Sequence, residues 1–300
     1  MTEIEILGDK PQKVTIPSEW SEMTPAQVRF VFRTHEECVR KGKSPLEFNI
    51  IVLYHLLGVR RTFGSIRKFC TRKAFAEKIS ENVYWLCHNC LSFLFEPIEE
   101  TDGPTRLAYR SVVNSLPTVR SKLGPLLTGP ADLLSDLTFG EFRKATSSLT
   151  AFFRSRDIAD LDECIACLYR RRSRRPNRAG RKVVPLGHDF GKDVRLVSGL
   201  PVWQKNLIMC WFSSCLEFLQ SGKIVLDAEE VNLQALFSGS EQPGPKFNWT
   251  DLLVQLAREN TIGNIDRVEE EPLLSVLSIM WTNHKEHKRN DAIRKASQGK

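Results

Sequence analysis

No run of more than fourteen residues in this 300-residue chain lacks an Asp, Glu, Lys or Arg; the longest is Asn82–Phe95. A membrane-spanning helix needs about 18 apolar residues or more, so no transmembrane segment is expected. The opening Met1-Thr2-Glu3-Ile4-Glu5 is acidic and has no apolar core of a secretory signal. Without export, the eight cysteines are expected as reduced thiols in a cytosol rather than as a disulfide framework. Catalytic fingerprints are missing too: no phosphate-binding Gly-x-x-x-x-Gly-Lys-Ser/Thr loop, no Gly-x-Ser-x-Gly elbow, no His-Glu-x-x-His and no dinucleotide-binding glycine pattern. Acid pairs such as Asp160 with Glu163 fall on helix-like surfaces. The expectation is a protein that is not an enzyme and carries no cofactor. Fixed-period repeats and low-complexity tracts are also lacking.

What is present is ordinary globular composition, 41% apolar and 26% charged, on a chain long enough for one large domain or two smaller ones. The formal charge of +7 is concentrated. Arg170, Arg171, Arg172, Arg174, Arg175, Arg178, Arg181 and Lys182 lie together with no acid among them. The rest of the chain then carries 43 − 8 = 35 basic against 36 acidic side chains, a net of −1. Cations ending a helix gain from its dipole, which accounts for one or two arginines but not eight. These eight residues are therefore the candidate contact for an anion or an acidic partner, with a solvated loop as the equal alternative. The segment Arg170–Phe190 has no aromatic residue between its ends for base stacking, so any nucleic acid would be gripped by its backbone.

Helix starts are well marked. Thr24-Pro25-Ala26-Gln27, Ser44-Pro45-Leu46-Glu47, Thr138-Phe139-Gly140-Glu141 and Asp227-Ala228-Glu229-Glu230 each place a capping side chain three residues before a Glu or Gln. That spacing satisfies orphan N–H groups at both ends of the box. With apolar periodicity it predicts helices near 24–41, 45–59, 65–80, 81–97, 105–115, 138–154, 157–172, 201–220, 227–237, 249–260 and 271–290. The segments 201–220 and 81–97 are apolar on most sides and are expected to form a hydrophobic spine. Ile4, Ile6, Val14 and Ile16 around Gly8-Asp9-Lys10-Pro11 predict a short β-hairpin.

The expected fold is mainly α: a bundle-like orthogonal array of helices with an N-terminal hairpin and a long basic loop. The expected organisation is a helical region 1–172, a Gly- and Pro-containing loop 173–199 and a helical region 200–300, or all of these as one continuous domain.

Two Cys-x-x-Cys pairs, Cys87/Cys90 and Cys164/Cys167, have the spacing of a zinc site. Both sit inside helix-periodic apolar runs, where small thiols pack as hydrophobes, and packing is the preferred reading. His284 and His287 share a helix face among charged neighbours and read as a solvated surface.

Three stretches carry a family resemblance. They are Ile16–Gln27; Leu137–Arg143 with Asp160–Arg170; and Trp249–Arg258 continuing through Gly263–Val268 and Pro272–Leu277. Their order resembles helical proteins encoded among the tail genes of phages and prophages of Bacteroides-type bacteria. The C-terminal third is similar to phage tail assembly chaperones, which bind the tape-measure protein. The resemblance implies a mainly α, non-enzymatic protein working through contacts with a tail or tape-measure protein in the host cytoplasm, or within the virion. It implies no particular site residues. Two other classes stay open: a nucleic-acid or polyanion binder using Arg170–Lys182, and a zinc-stabilised structural protein of the virion.

Overall fold

Three of the four predicted capping boxes are in place. The Gln27 backbone N–H donates to Thr24 Oγ1 at 3.3 Å while Thr24 N–H donates to Gln27 Oε1 at 2.8 Å. Ser44 with Glu47 and Thr138 with Glu141 repeat the arrangement. They open helices α1 (Pro25–Arg40), α2 (Pro45–Leu56) and α5 (Phe139–Ser155). The computed structural model describes residues 1–6, 12–59, 63–71, 73–95, 107–121, 124–226, 229–234, 249–258 and 264–298. Among these the protein is mainly helical, with eleven α-helices and only short strand pairs. The remaining helices are α3 (Phe63–Thr71), α4 (Lys73–Cys90), α6 (Ile158–Leu168), α7 (Phe190–Ser198), α8 (Val202–Ser221), α9 (Trp249–Arg258), α10 (Ile265–Glu270) and α11 (Leu273–Gln298). No helix among the described residues is long and apolar enough to cross a membrane.

The chain divides into two units, Met1–Ser111 with Val202–Cys210, and Val112–Pro201 with Trp211–Lys300. This division does not follow the boundaries expected at 172 and 199. The basic segment lies wholly inside the second unit.

The first unit starts with the expected hairpin, β1 (Thr2–Ile6) antiparallel to β2 (Gln12–Ile16), with Ile4 opposite Val14; its turn at Gly8–Pro11 lies outside the described residues. Trp20 anchors the core, with Tyr109, Phe32 and Phe93 ring centroids 5.0, 5.9 and 6.0 Å away. Val28, Val31, Phe48, Val52, Leu53, Leu91 and Leu94 are buried with it. Residues 73–90 form helix continuously through position 80, where a break between two helices is expected, and α4 ends at Cys90.

The second unit is built on the antiparallel order β3 (Thr118–Arg120), β4 (Leu126–Thr128), β5 (Arg170–Arg171). Helices α5 and α6 pack beside each other and bury Phe139, Phe142, Leu149, Leu161, Ile165 and Leu168. Phe139 N–H donates to Glu271 O at 2.8 Å and Leu273 N–H to Leu137 O at 2.9 Å, tying the start of α5 to the α10–α11 turn. A side chain at Gly140 would press on the Glu269 backbone, whose carbonyl lies 3.0 Å from where a Cβ would sit.

Several expected elements differ. The helix expected over 105–115 is irregular among its described residues, 107–115. Asn114 Oδ1 accepts from Leu116 N–H at 2.9 Å, a local bond that competes with helix hydrogen bonding. The helix expected to run to 172 stops at Leu168, because Tyr169 turns extended and 170–171 joins the sheet through Thr128↔Arg170 and Leu127↔Arg171. Of the helix expected at 227–237, Glu229–Asn232 is instead strand β7, paired with β6 (Lys223–Leu226), while Leu233 and Gln234 are helical. The β-branched Ile224 and Val231 pair across the strands and are buried. Residues 227–228 and 235–237 of that expectation, including the Asp227 cap, lie outside the described residues. The loop expected over 173–199 contains α7, and α10 is a further helix capped by Asn264, whose Oδ1 accepts from Arg267 N–H at 3.0 Å.

Candidate functional site

The eight basic residues do not form one exposed patch. Arg170 is fully buried; its Nε donates to Asp193 Oδ2 at 3.2 Å and its Nη2 to Pro185 O at 2.7 Å. Arg171 Nε takes the other oxygen of the same carboxylate at 2.6 Å. Burial lowers the Arg170 pKa, while the charges of Asp193 and Glu141 oppose that shift. Arg181 is also buried, with Nη2 2.9 Å from Glu141 Oε1 and Nη1 donating to Leu168 O at 2.9 Å, the last carbonyl of α6. Arg178 pairs with Glu270 at 3.4 Å and with Glu271. A buried charge of this kind survives only when paired. Half of the predicted anion contact is thus the internal scaffold that pins the segment to α5, α6, α7 and the end of α10. Arg172, Arg174, Arg175 and Lys182 are exposed and join no ion pair among the described residues.

This scaffold borders a cleft of about 990 Å³ between the start of α5, the 176–187 turns and α10. Most of its charged lining is engaged in ion pairs. Glu141 faces Arg181, Arg143 pairs with Glu269, and Arg178 pairs with Glu270. Lys144 Nζ sits 3.6 Å over the Phe190 ring.

The cysteine pairs fall in different units, Cys87/Cys90 in the first and Cys164/Cys167 in the second. All four are buried free thiols. Burial pushes Cys87 up to about 11 and Cys167 up to about 12, and it raises Cys164 and Cys90 as well. A metal ligand needs the thiolate, which these surroundings disfavour. Among the described residues no three His, Cys, Asp or Glu side chains gather as a metal site. His284 stacks on Trp281 with centroids 5.7 Å apart, and burial lowers its pKa.

The feature that sequence reasoning missed lies in the first unit. From Phe63 to Leu86, through α3 and most of α4, no described side chain is buried. Phe63, Ile66 and Phe69 recur at i, i+3 and i+6 and are 85%, 48% and 44% exposed. Tyr84 and Trp85 are each about 60% exposed, against the expectation that 81–97 would be central to the core. Ile79, Val83 and Leu86 are half-buried at i, i+4 and i+7, leading to buried Cys90. The same stretch is basic. Residues 60–81 carry Arg60, Arg61, Arg67, Lys68, Arg72, Lys73 and Lys78 against Glu77 and Glu81, a net of +5. Arg67, Lys73 and Lys78 are exposed, and Lys73 makes only a 3.9 Å surface pair with Glu77. The whole-chain charge sum conceals this second cluster, because acidic segments elsewhere cancel it. The signal was available in the mixed apolar and basic spacing of 60–81.

No protein-family model, curated protein or solved structure matches this chain.

Proposed function

We propose that this chain is a non-enzymatic, helical protein-interaction factor of phage tail morphogenesis. In this reading it shields or scaffolds a tail component such as the tape-measure protein in the host cytoplasm. The observation that carries the reading is the uncovered helical stretch Phe63–Leu86 with its exposed Phe63, Ile66, Phe69, Tyr84 and Trp85. Most helical stability in proteins comes from packing an apolar face away. Helix α3 has no buried described side chain, so a partner's apolar surface is the natural source of its missing packing. A tape-measure protein is a long amphipathic helix with an apolar stripe that needs cover, and helix-on-helix docking meets both needs. The phage-tail assignment comes from the resemblance in the three stretches described above. Co-expression with a tape-measure protein from the same genome tests it: the expected result is a co-purifying complex and a more soluble partner. A partner that stays insoluble and never co-purifies contradicts the reading.

A second reading, polyanion binding by the basic segment, rests on Arg172, Arg174, Arg175 and Lys182, which lie exposed with no ion pair among the described residues. It requires retention on immobilised nucleic acid that falls steeply with salt and disappears when these four become alanine.

A further inference from the structure

We infer that the outer half of α11 is a separate contact surface of this protein, made for the phosphate backbone of duplex nucleic acid. It lies in the second unit and does not depend on the α3–α4 stretch or on the tail-protein reading. The first part of α11 is packed: Leu273, Val276, Leu277 and Met280 are buried at i, i+3, i+4 and i+7. From Lys285 to Ser297 the helix continues, yet every residue is exposed. That is about 20 Å of helix with solvent on all sides. A helix that is polar all round is held by ion pairs along its own surface or by a partner. Among the described residues the one ion pair of this stretch is Lys285 with Glu229 of β7, at 2.6 Å.

The charges are sorted around the helix rather than interleaved. At 3.6 residues per turn, Lys285, Lys288, Arg289 and Lys295 fall within about 120° of arc, with Ala292 and Ala296 between them and no acid. Lys285 has cations at i+3 and i+4, and like charges at these spacings repel. Glu286 and Asp291 lie outside the arc, one on each side. With Arg294, residues 285–297 carry five cations against those two acids, a net of +3. A polyanion laid along the arc relieves the repulsion.

Composition separates the anionic surfaces that compete for this face. A lipid surface takes up a helix by its apolar side. An acidic protein needs a desolvated, packed centre to its interface. Ile293 is the one large apolar side chain of 285–297, and it lies off the basic arc. A duplex backbone needs only cations, because neutralising phosphates releases counterions. The two alanines let the helix axis come close to it. No Phe, Tyr or Trp lies in 285–297 to stack on the bases of a single strand. The contacts are therefore to duplex phosphates and carry no sequence preference.

Fluorescence anisotropy of the full chain with a labelled DNA duplex of about two helical turns and arbitrary sequence tests the inference. The expected result is saturable binding at about 50 mM salt, with log K falling against log salt at a slope of about −3 to −4, as about four phosphate contacts require. The variant Lys288→Ala, Arg289→Ala, Lys295→Ala should weaken binding by about tenfold or more and reduce the slope by about 2.7. Alanine is a strong helix former, so circular dichroism should show the helix content kept. The variant Glu286→Gln, Asp291→Asn, which removes the two acids beside the arc, should tighten binding, a gain that unfolding cannot produce. No binding at low salt, a slope near zero, or a triple-alanine variant that binds like the parent overturns the inference. Tighter binding to phosphatidylglycerol vesicles or to a single strand of the same length overturns it too. Failure of the tape-measure co-purification would remove the proposed function and leave this inference standing.

Discussion

Arg181 and Glu141 meet at 2.9 Å with each side chain only 2% exposed, forty residues apart in sequence. The pair joins the far end of the basic segment to the first turn of α5. Glu141 does two jobs there, because its other oxygen accepts from the Thr138 N–H of the capping box at 3.1 Å. Replacing Arg181 with alanine strands a carboxylate out of water and should destabilise the protein by about 3–5 kcal/mol. Glu141→Ala should lose a comparable amount plus the cap, about 1 kcal/mol. The double variant should lose clearly less than the sum, as urea titration of all four proteins would read. Strict additivity would mean that the two side chains do not depend on each other.

Gly129 gives a sharper test of the packing around the sheet. A Cβ there would overlap the ring of Tyr169. Tyr169 cannot swing away without losing the hydrogen bond from its hydroxyl to Leu116 O at 2.8 Å. Gly129→Ala should therefore destabilise by about 1–3 kcal/mol through overpacking, against the usual gain from replacing glycine. A variant as stable as the parent in urea would contradict the close approach.

The thiols predict both reactivity and alkaline behaviour. At pH 8, Cys70, the exposed cysteine, should react with a thiol reagent in the native protein, while Cys87, Cys164 and Cys167 react only on unfolding. The folded pKa values of Cys87 and Cys167, about 11 and about 12, lie above the ordinary thiol value of 9.0. In the window above pH 9 the unfolded chain releases protons that the folded chain keeps. Their contribution is thus complete below pH 9 and is lost as pH rises through 11 and 12. Denaturation midpoints measured from pH 8 to 11 should fall. Serine at positions 87 and 167 should flatten that fall, and an unchanged slope would assign it to other groups.

Much of the fold was legible wherever the signal was local. Capping boxes need only four residues, so Thr24, Ser44 and Thr138 announced their helices, and alternation announced the first hairpin. Legibility failed where a distant partner decided. Asp193 is buried in α7 because Arg170 and Arg171 reach it from the strand, and no window around Asp193 contains them. Lys223–Asn232 pairs as a hairpin although Asp227 and Glu230 mimic a helix start. The basic segment was read correctly as unusual, yet counting charges could not show that Glu141, Asp193, Glu270 and Glu271 neutralise half of it. Conversely, Tyr84 and Trp85 in 81–97 looked like core, because periodicity records that a face is apolar and not whether the rest of the chain covers it.

Hydrogen–deuterium exchange on the full chain, alone and with the proposed tape-measure partner, tests the central claim most directly. Amides with little buried apolar cover open easily. The account predicts fast exchange across the backbone of 63–86 in the free protein and marked slowing there in the complex. Unchanged exchange in 63–86, with new protection confined to 170–187 or elsewhere in the second unit, would contradict it.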